Sequence, residues 1–274
     1  MLKDYYLNTI HKENCLTFIP KISSDSIDII ITDPPYAIST GNKLSMSNVN
    51  NLKGFGGDWK IMNEGWDTIT FTDYCSLIEK MLKESYRVLK ETGTMWICGT
   101  YHNIGIINYL ALKTGFRIIN EIIWYKRNAF PNLSQKCLTA SHENLLWLAK
   151  SDSWNYNYET MKRATYEFDK LKKTGKQLRS VWDIPNNKSK SELAYKDVFK
   201  ESYWIKSQKP LRLIDRCIET TAQPNDIVAD WFCGSGTTVI SAINHSLSFI
   251  ACESNSKYVE VIEWRLKKEG KENL

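Results

Sequence analysis

The sequence predicts an α/β fold: a mainly parallel sheet with helices on both faces, plus an inserted module. Three observations predict it. Short apolar runs bounded by turn residues alternate with stretches of helical periodicity. One such run, residues 27–32, stops at Asp33-Pro34-Pro35-Tyr36. A later run, Ile227-Val228-Ala229, enters the glycine-rich turn Asp230-Trp231-Phe232-Cys233-Gly234-Ser235-Gly236-Thr237-Thr238 and then a helical stretch.

In chain order, residues 11–18 precede the first strand and read as a short helix start, with Cys15 in the core and Asn14 beside it. Residues 27–32 form a buried strand. Two consecutive prolines can neither continue a ladder nor enter a helix interior, so the strand ends there. Its end carries a carboxylate, two rigid carbonyls and an aromatic ring at the carboxyl edge of the sheet, where open α/β folds bind ligands. Such a group can hold a planar amine: Asp33 and a proline carbonyl accept its hydrogens, and Tyr36 stacks on its π-face. A plain turn with Tyr36 capping the core is the alternative.

Residues 37–66 are rich in Gly, Asn and Ser, with Gly54, Gly56 and Gly57 close together. They read as a long loop leaving the same carboxyl edge, expected to be mobile and to close over a ligand; a disordered insertion is the alternative. Residues 71–89 are the clearest helix, with Tyr74, Leu77, Ile78, Met81, Leu82, Val88 and Leu89 at helical spacing. Gly93 is expected to end it. A strand over 94–98, a helix over 103–113, and strands over 116–125 and 143–149 follow.

Residues 151–206 break this pattern. They contain 12 Lys and Arg against 8 Asp and Glu, and ten aromatic residues, including Trp154, Tyr156, Tyr158, Trp182 and Trp204. Basic residues can meet phosphates and amphipathic aromatics can pack on sugars and bases; a solvated subdomain with a small aromatic core is the alternative. A helix over 211–220 leads to the strand at 227–229 and the glycine turn. Strand, glycine turn, helix brings backbone N–H groups to a ligand at a helix N-terminus. The next strand, residues 249–252, ends in Glu253, placed to bind ribose hydroxyls. An ordinary βαβ turn with a surface glutamate is the alternative.

Composition bounds the function. The chain has 274 residues, 42% hydrophobic, with ten Trp, enough for one α/β domain with a large core. Net charge is +5, which permits a polyanionic partner without demanding one. Residues 1–6 lack the apolar stretch of a signal peptide, and no run approaches membrane length, so a cytoplasmic location without a membrane partner is expected. The seven Cys lack CxxC spacing and read as free thiols. With four His and no paired ligand spacing, no metal site is expected.

The two motifs Asp33-Pro34-Pro35-Tyr36 and 230–238 together resemble the amino-group DNA methyltransferases that use S-adenosylmethionine. The catalytic motif comes first and the cofactor motif last, the order of the family's β-class. Trp124-Tyr125-Lys126-Arg127-Asn128, Pro131-Asn132-Leu133-Ser134 and Ser141-His142-Glu143-Asn144-Leu145-Leu146-Trp147 also look like β-class segments. More narrowly, the chain is similar to β-class adenine methylases of restriction systems that recognise GATC.

The resemblance implies a Rossmann-like methyltransferase fold. It implies a catalytic half over 1–150, a target-recognition insertion over 151–206, and a cofactor half over 207–274. It implies double-stranded DNA as substrate, with the target base flipped out; a single strand avoids the flipping cost, and strand preference stays open. Asp33, Pro34, Pro35 and Tyr36 are then the catalytic residues. Asn14, Cys15, Asp33, Ser207, Asp230, Phe232, Gly234, Ser235, Gly236, Thr237 and Glu253 are the cofactor-binding ones. Three positions depart from the pattern. Asn14 replaces the family's Asp, Ser207 replaces its Thr without the accompanying His, and Trp231 stands where Pro is usual. Asp before the prolines favours adenine N6; the cytosine-N4 members more often carry Ser there. The alternatives are a cytosine-N4 enzyme, a methyltransferase acting on RNA or a protein amide, and a DNA-binding protein that has lost catalysis. A homodimer and a cognate restriction endonuclease stay open as partners.

Overall fold

The computed structural model describes residues 6–36, 69–129, 131–132, 136–166, 169–187 and 208–271. Thr9–His11 (β1) precedes a one-turn helix, Cys15–Phe18 (α1), and the fully buried strand Ile27–Thr32 (β2). Phe71–Val88 (α2), Leu89–Gly99 (β3), Ile104–Thr114 (α3), Arg117–Tyr125 (β4) and His142–Ala149 (β5) follow. Tyr158–Arg163 (α4) and Val181–Asp183 (β6) lie in the basic aromatic stretch. Leu211–Thr221 (α5), Ile227–Asp230 (β7), Thr237–Asn244 (α6), Ser248–Cys252 (β8) and Ser256–Lys268 (α7) complete the described chain.

The strands form one sheet in the order β1-β8-β7-β2-β3-β5-β4-β6. All neighbours are parallel except β5, which runs antiparallel to both β3 and β4. Side chains alternate across the sheet with period two. Ile30 of β2, with Met95 and Ile97 of β3, faces a core built with α1, α2 and α3, and Ile27 joins the same core because the register shifts between it and Ile29. Ile29 and Ile31, with Trp96 and Cys98, face the other core, built with α5, α6 and Ile262 of α7. Burial on both faces explains why these strands read as continuous apolar runs.

Helix α2 starts where Thr70 accepts from the Asp73 N–H at 3.2 Å and donates its own hydroxyl to Asp73 Oδ2 at 2.7 Å. It ends differently from the expectation placed on Gly93. The chain turns extended at Leu89, whose ψ is 138°, and Gly93 lies inside the 11-residue strand β3. Leu89 is buried and paired with Ile27, so sheet pairing ends the helix four residues before the glycine. Strand–helix alternation also fails between β4 and β5, which form an antiparallel hairpin.

Two strands escaped the sequence reading because they are only three residues long: β1, which pairs with β8, and β6, which pairs with β4. Several aromatics of the basic stretch serve the core. Trp182 is buried, and Trp154 and Tyr156 pack against the same cluster. Asn157 fastens the stretch to α5, donating to the carbonyls of Glu219 and Ala222 at 2.9 Å each. No helix among the described residues is long and apolar enough to cross a membrane.

Candidate active site

Strand β2 leaves for α2 on one face, and β7 leaves for α6 on the other. Their adjoining carboxyl ends are therefore a topological switch point, where the two crossovers part and leave a crevice. Trp231 N–H donates to Thr32 Oγ1 at 3.3 Å and fixes the two strand ends side by side.

A cavity of about 330 Å³ fills this crevice, a volume suited to a small organic ligand. Asp33, Pro34, Pro35 and Tyr36 line one part of it; Asp230, Phe232, Gly234, Ser235, Thr237 and Glu253 line another. Asn14 and Cys15 also line it. Residues 33–36 and 230–238 are almost two hundred positions apart in the chain, and folding brings them to one pocket. Gly236 does not line the cavity; it shapes the turn behind it, at φ +79°. Ser207 and the loop 37–66 lie outside the described residues.

Asn14 and Cys15 begin a helix and also line the cavity. The Asn14 side chain caps α1 by accepting from Leu16 N–H at 2.9 Å, and Cys15 is buried while facing the cavity. Burial pushes the Cys15 thiol up to about 12, so it stays a neutral wall and not a nucleophile.

At the cofactor-motif end, Glu253 is buried and oriented by two backbone donors. Gly234 N–H reaches Oε2 and Asn255 N–H reaches Oε1, each at 2.8 Å. Glu253 N–H in turn donates to the His11 carbonyl at 3.0 Å, so strand β1 helps position the acid. Asp230 accepts from Phe232 N–H at 3.1 Å, and burial pushes its carboxyl up to about 7. Thr237 accepts from Arg265 Nη1 at 3.2 Å and donates to the Lys209 carbonyl at 3.3 Å, tying the turn to the segment before α5.

At the other end stands a compact charge cluster. Tyr36 OH donates to Asp33 Oδ1 at 2.5 Å. Lys209 Nζ donates to Asp33 Oδ2 and to Tyr36 OH, both at 2.6 Å. Glu143 Oε2 lies 3.4 Å from the same ammonium, and Lys126 Nζ donates to Glu143 Oε1 at 2.8 Å. Burial pushes Asp33 above the ordinary carboxyl value, while Lys209 and the Tyr36 hydroxyl pull against that rise. Burial also opposes the charge on Lys209, but Asp33, Glu143 and Tyr36 together hold its pKa well above the usual lysine value.

Sequence reasoning gave no role to Lys209 or Glu143. Glu143 sits in a segment noted for its resemblance, and Lys209 lies two positions after Ser207. No periodicity could show that a lysine before Pro210 and a strand-end glutamate meet Asp33, because that meeting depends on β5 packing beside β3. Chemically, the pocket offers carboxylate acceptors at two places, a Gly turn that exposes backbone, and an aromatic ring beside one acid. Carboxylates of this kind can accept hydrogen bonds from hydroxyl groups or from an amine.

Over residues 27–263 the chain matches a family model described as DNA methylase. It is 35% identical over 264 residues to the Type II methyltransferase M.HinfI of Haemophilus influenzae, covering 96% of this chain and 69% of that one. It is 32% identical over 282 residues to the Type II methyltransferase M2.DpnII of Streptococcus pneumoniae, covering 100% and 96%. The crystal structure of an M1.HpyAVI–SAM complex superposes with a TM-score of 0.64 at 22% identity, covering 94% of this chain and 98% of that one. At that identity the likeness shows the fold.

Proposed function

This chain belongs to the DNA methylase family, and we propose that it transfers a methyl group from S-adenosylmethionine to the N6 amino group of adenine at defined sites in DNA. The observation that supports this most is the shared cavity: Asp33 and Tyr36 line it together with Gly234, Ser235 and Glu253. The Type II naming of its relatives extends the proposal to a restriction–modification system with a cognate endonuclease. A GATC site, a homodimeric state and recognition of the target through residues 151–206 belong to the same proposal.

S-Adenosylmethionine, when bound, supplies an electrophilic methyl group on a positively charged sulfur. Glu253 would accept the ribose hydroxyls, and the turn at Gly234 and Ser235 would admit close backbone approach. An exocyclic amine is a poor nucleophile because its lone pair is delocalised into the ring. Asp33 and the Pro34 carbonyl would each accept one of its N–H groups, favouring a pyramidal nitrogen with a directed lone pair. Tyr36 would stack on the extruded base. The excess proton leaves the product nitrogen to Asp33 or to water. Preorganised acceptors and fixed orientation together supply several kcal/mol of barrier lowering, roughly.

The test is label transfer from S-adenosylmethionine to unmethylated plasmid DNA, followed by digestion to nucleosides. N6-methyldeoxyadenosine is the expected product. N4-methylcytosine would replace the adenine assignment, and absence of transfer would refute the activity. Asp33→Ala should abolish transfer while calorimetric cofactor binding persists. Sequencing the methylated DNA identifies the site.

A further inference from the structure

Both oxygens of the Asp33 carboxylate are occupied, Oδ1 by the Tyr36 hydroxyl and Oδ2 by the Lys209 ammonium. A target amine that donates to Asp33 competes with one of them for the carboxylate's charge and space. Lys209 is the freer of the two, since its charge rides on a flexible four-carbon stem. Its backbone stays anchored, because Thr237 OH donates to its carbonyl at 3.3 Å.

A second acceptor lies next to the ammonium. Glu143 Oε2 is buried, has no hydrogen-bond partner, and lies 3.4 Å from Lys209 Nζ. The other oxygen of Glu143 is held by Lys126 at 2.8 Å. One lysine thus fixes this carboxylate and leaves its second oxygen directed at the other lysine. A shift of Nζ by roughly half an ångström would bring that pair to ordinary charge-assisted hydrogen-bond length.

We propose that Lys209 is a positioning residue with two stations: it donates to Asp33 while no base is present, and moves to Glu143 Oε2 when the target amino group enters. This rests on the methyltransferase reading of the pocket. No proton changes hands and no bond forms; one cation exchanges one carboxylate partner for another. In the first station the ammonium opposes the upward push that burial gives the Asp33 carboxyl, and aims it. In the second, Asp33 directs its full charge to the amine N–H, while Glu143 keeps a buried cation compensated beside a sulfonium-bearing donor.

The test is a double-mutant cycle on steady-state methylation of unmethylated plasmid DNA by the full chain. Glu143→Gln keeps the shape and removes the receiving charge. It should lower kcat at least about tenfold, with the KM for S-adenosylmethionine unchanged within about twofold. Lys209→Met should lower the KM for DNA and move the acid limb of kcat to higher pH, because Asp33 loses its counter-charge. In a Lys209→Met background, Glu143→Gln should cost less than about twofold, since nothing remains to be received. Lys209→Gln enters the same cycle if the methionine variant does not fold. Equal losses from Glu143→Gln in both backgrounds, or an acid limb unmoved by loss of Lys209, would overturn the two-station role. A wild-type protein without methyl transfer would instead sink the functional reading itself.

Discussion

The Gly234 N–H donates to Glu253 Oε2 at 2.8 Å, joining the turn after β7 to the tip of β8. With Asn255 N–H on Oε1, both carboxylate oxygens meet backbone donors. A carboxamide has one acceptor oxygen, so Glu253→Gln leaves one of these N–H groups facing an NH₂. Hydrogen bonds to charged groups contribute roughly 1.5–3 kcal/mol, so the Kd for S-adenosylmethionine should rise about tenfold or more. Titration calorimetry reads this directly. An unchanged Kd would remove Glu253 from the cofactor site.

Gly236 has φ +79°, and a Cβ there would lie 2.8 Å from Ile262 Cγ2. Gly236→Ala should therefore suffer both backbone strain and overpacking, about 2–4 kcal/mol in urea unfolding. Gly234 also has positive φ, +53°, but a Cβ there would meet nothing closer than the Phe232 carbonyl at 3.9 Å. Gly234→Ala should cost the strain alone, and clearly less. Equal losses would show that Ile262 packing does not set the requirement for Gly236.

Asp230 gives a pH prediction. Burial raises its folded value from 3.8 to about 7. Between these values the unfolded chain has released the proton and the folded chain has kept it. Stability therefore falls as pH rises across that window, by a few kcal/mol at most, roughly. Asp230→Asn does not titrate. The melting temperature of wild type should fall relative to this variant between about pH 4 and 7 and run parallel to it above. A constant difference across the window would place the Asp230 pKa near its ordinary value.

Salt tests the basic stretch. If the 12 Lys and Arg of residues 151–206 meet phosphates, the Kd for DNA should rise steeply between roughly 50 and 200 mM salt, tenfold or more. Fluorescence anisotropy with a labelled duplex measures it. A flat response would remove this stretch from the DNA-binding proposal.

Much of the fold was legible because its signals are local. The run at 27–32 reads as a strand since both faces are buried, and the prolines fix its end. Helix α2 is legible from its apolar spacing, and its span was read to within one residue, but its stop was assigned to the wrong signal. Sheet pairing of Leu89 outweighed the glycine signal four residues later, and such pairing is not local. Trp231 stands where the resemblance leads one to expect proline. In the fold its indole is buried and donates to Ser85 Oγ of α2 at 2.9 Å, a contact across 146 positions.

By itself the sequence determined the longer strands, the corner at Asp33, the glycine turn and the acid at Glu253, because each is a short-range pattern of apolar spacing, chain-breaking residues and charge. The tertiary structure decided which charges meet. Lys209 reaches Asp33 across 176 positions, and Glu143 lies beside it, because β5 runs back along β3 and α5 begins beside the end of β2. Electrostatic contact depends on distance in space, and strand order in the sheet sets that distance.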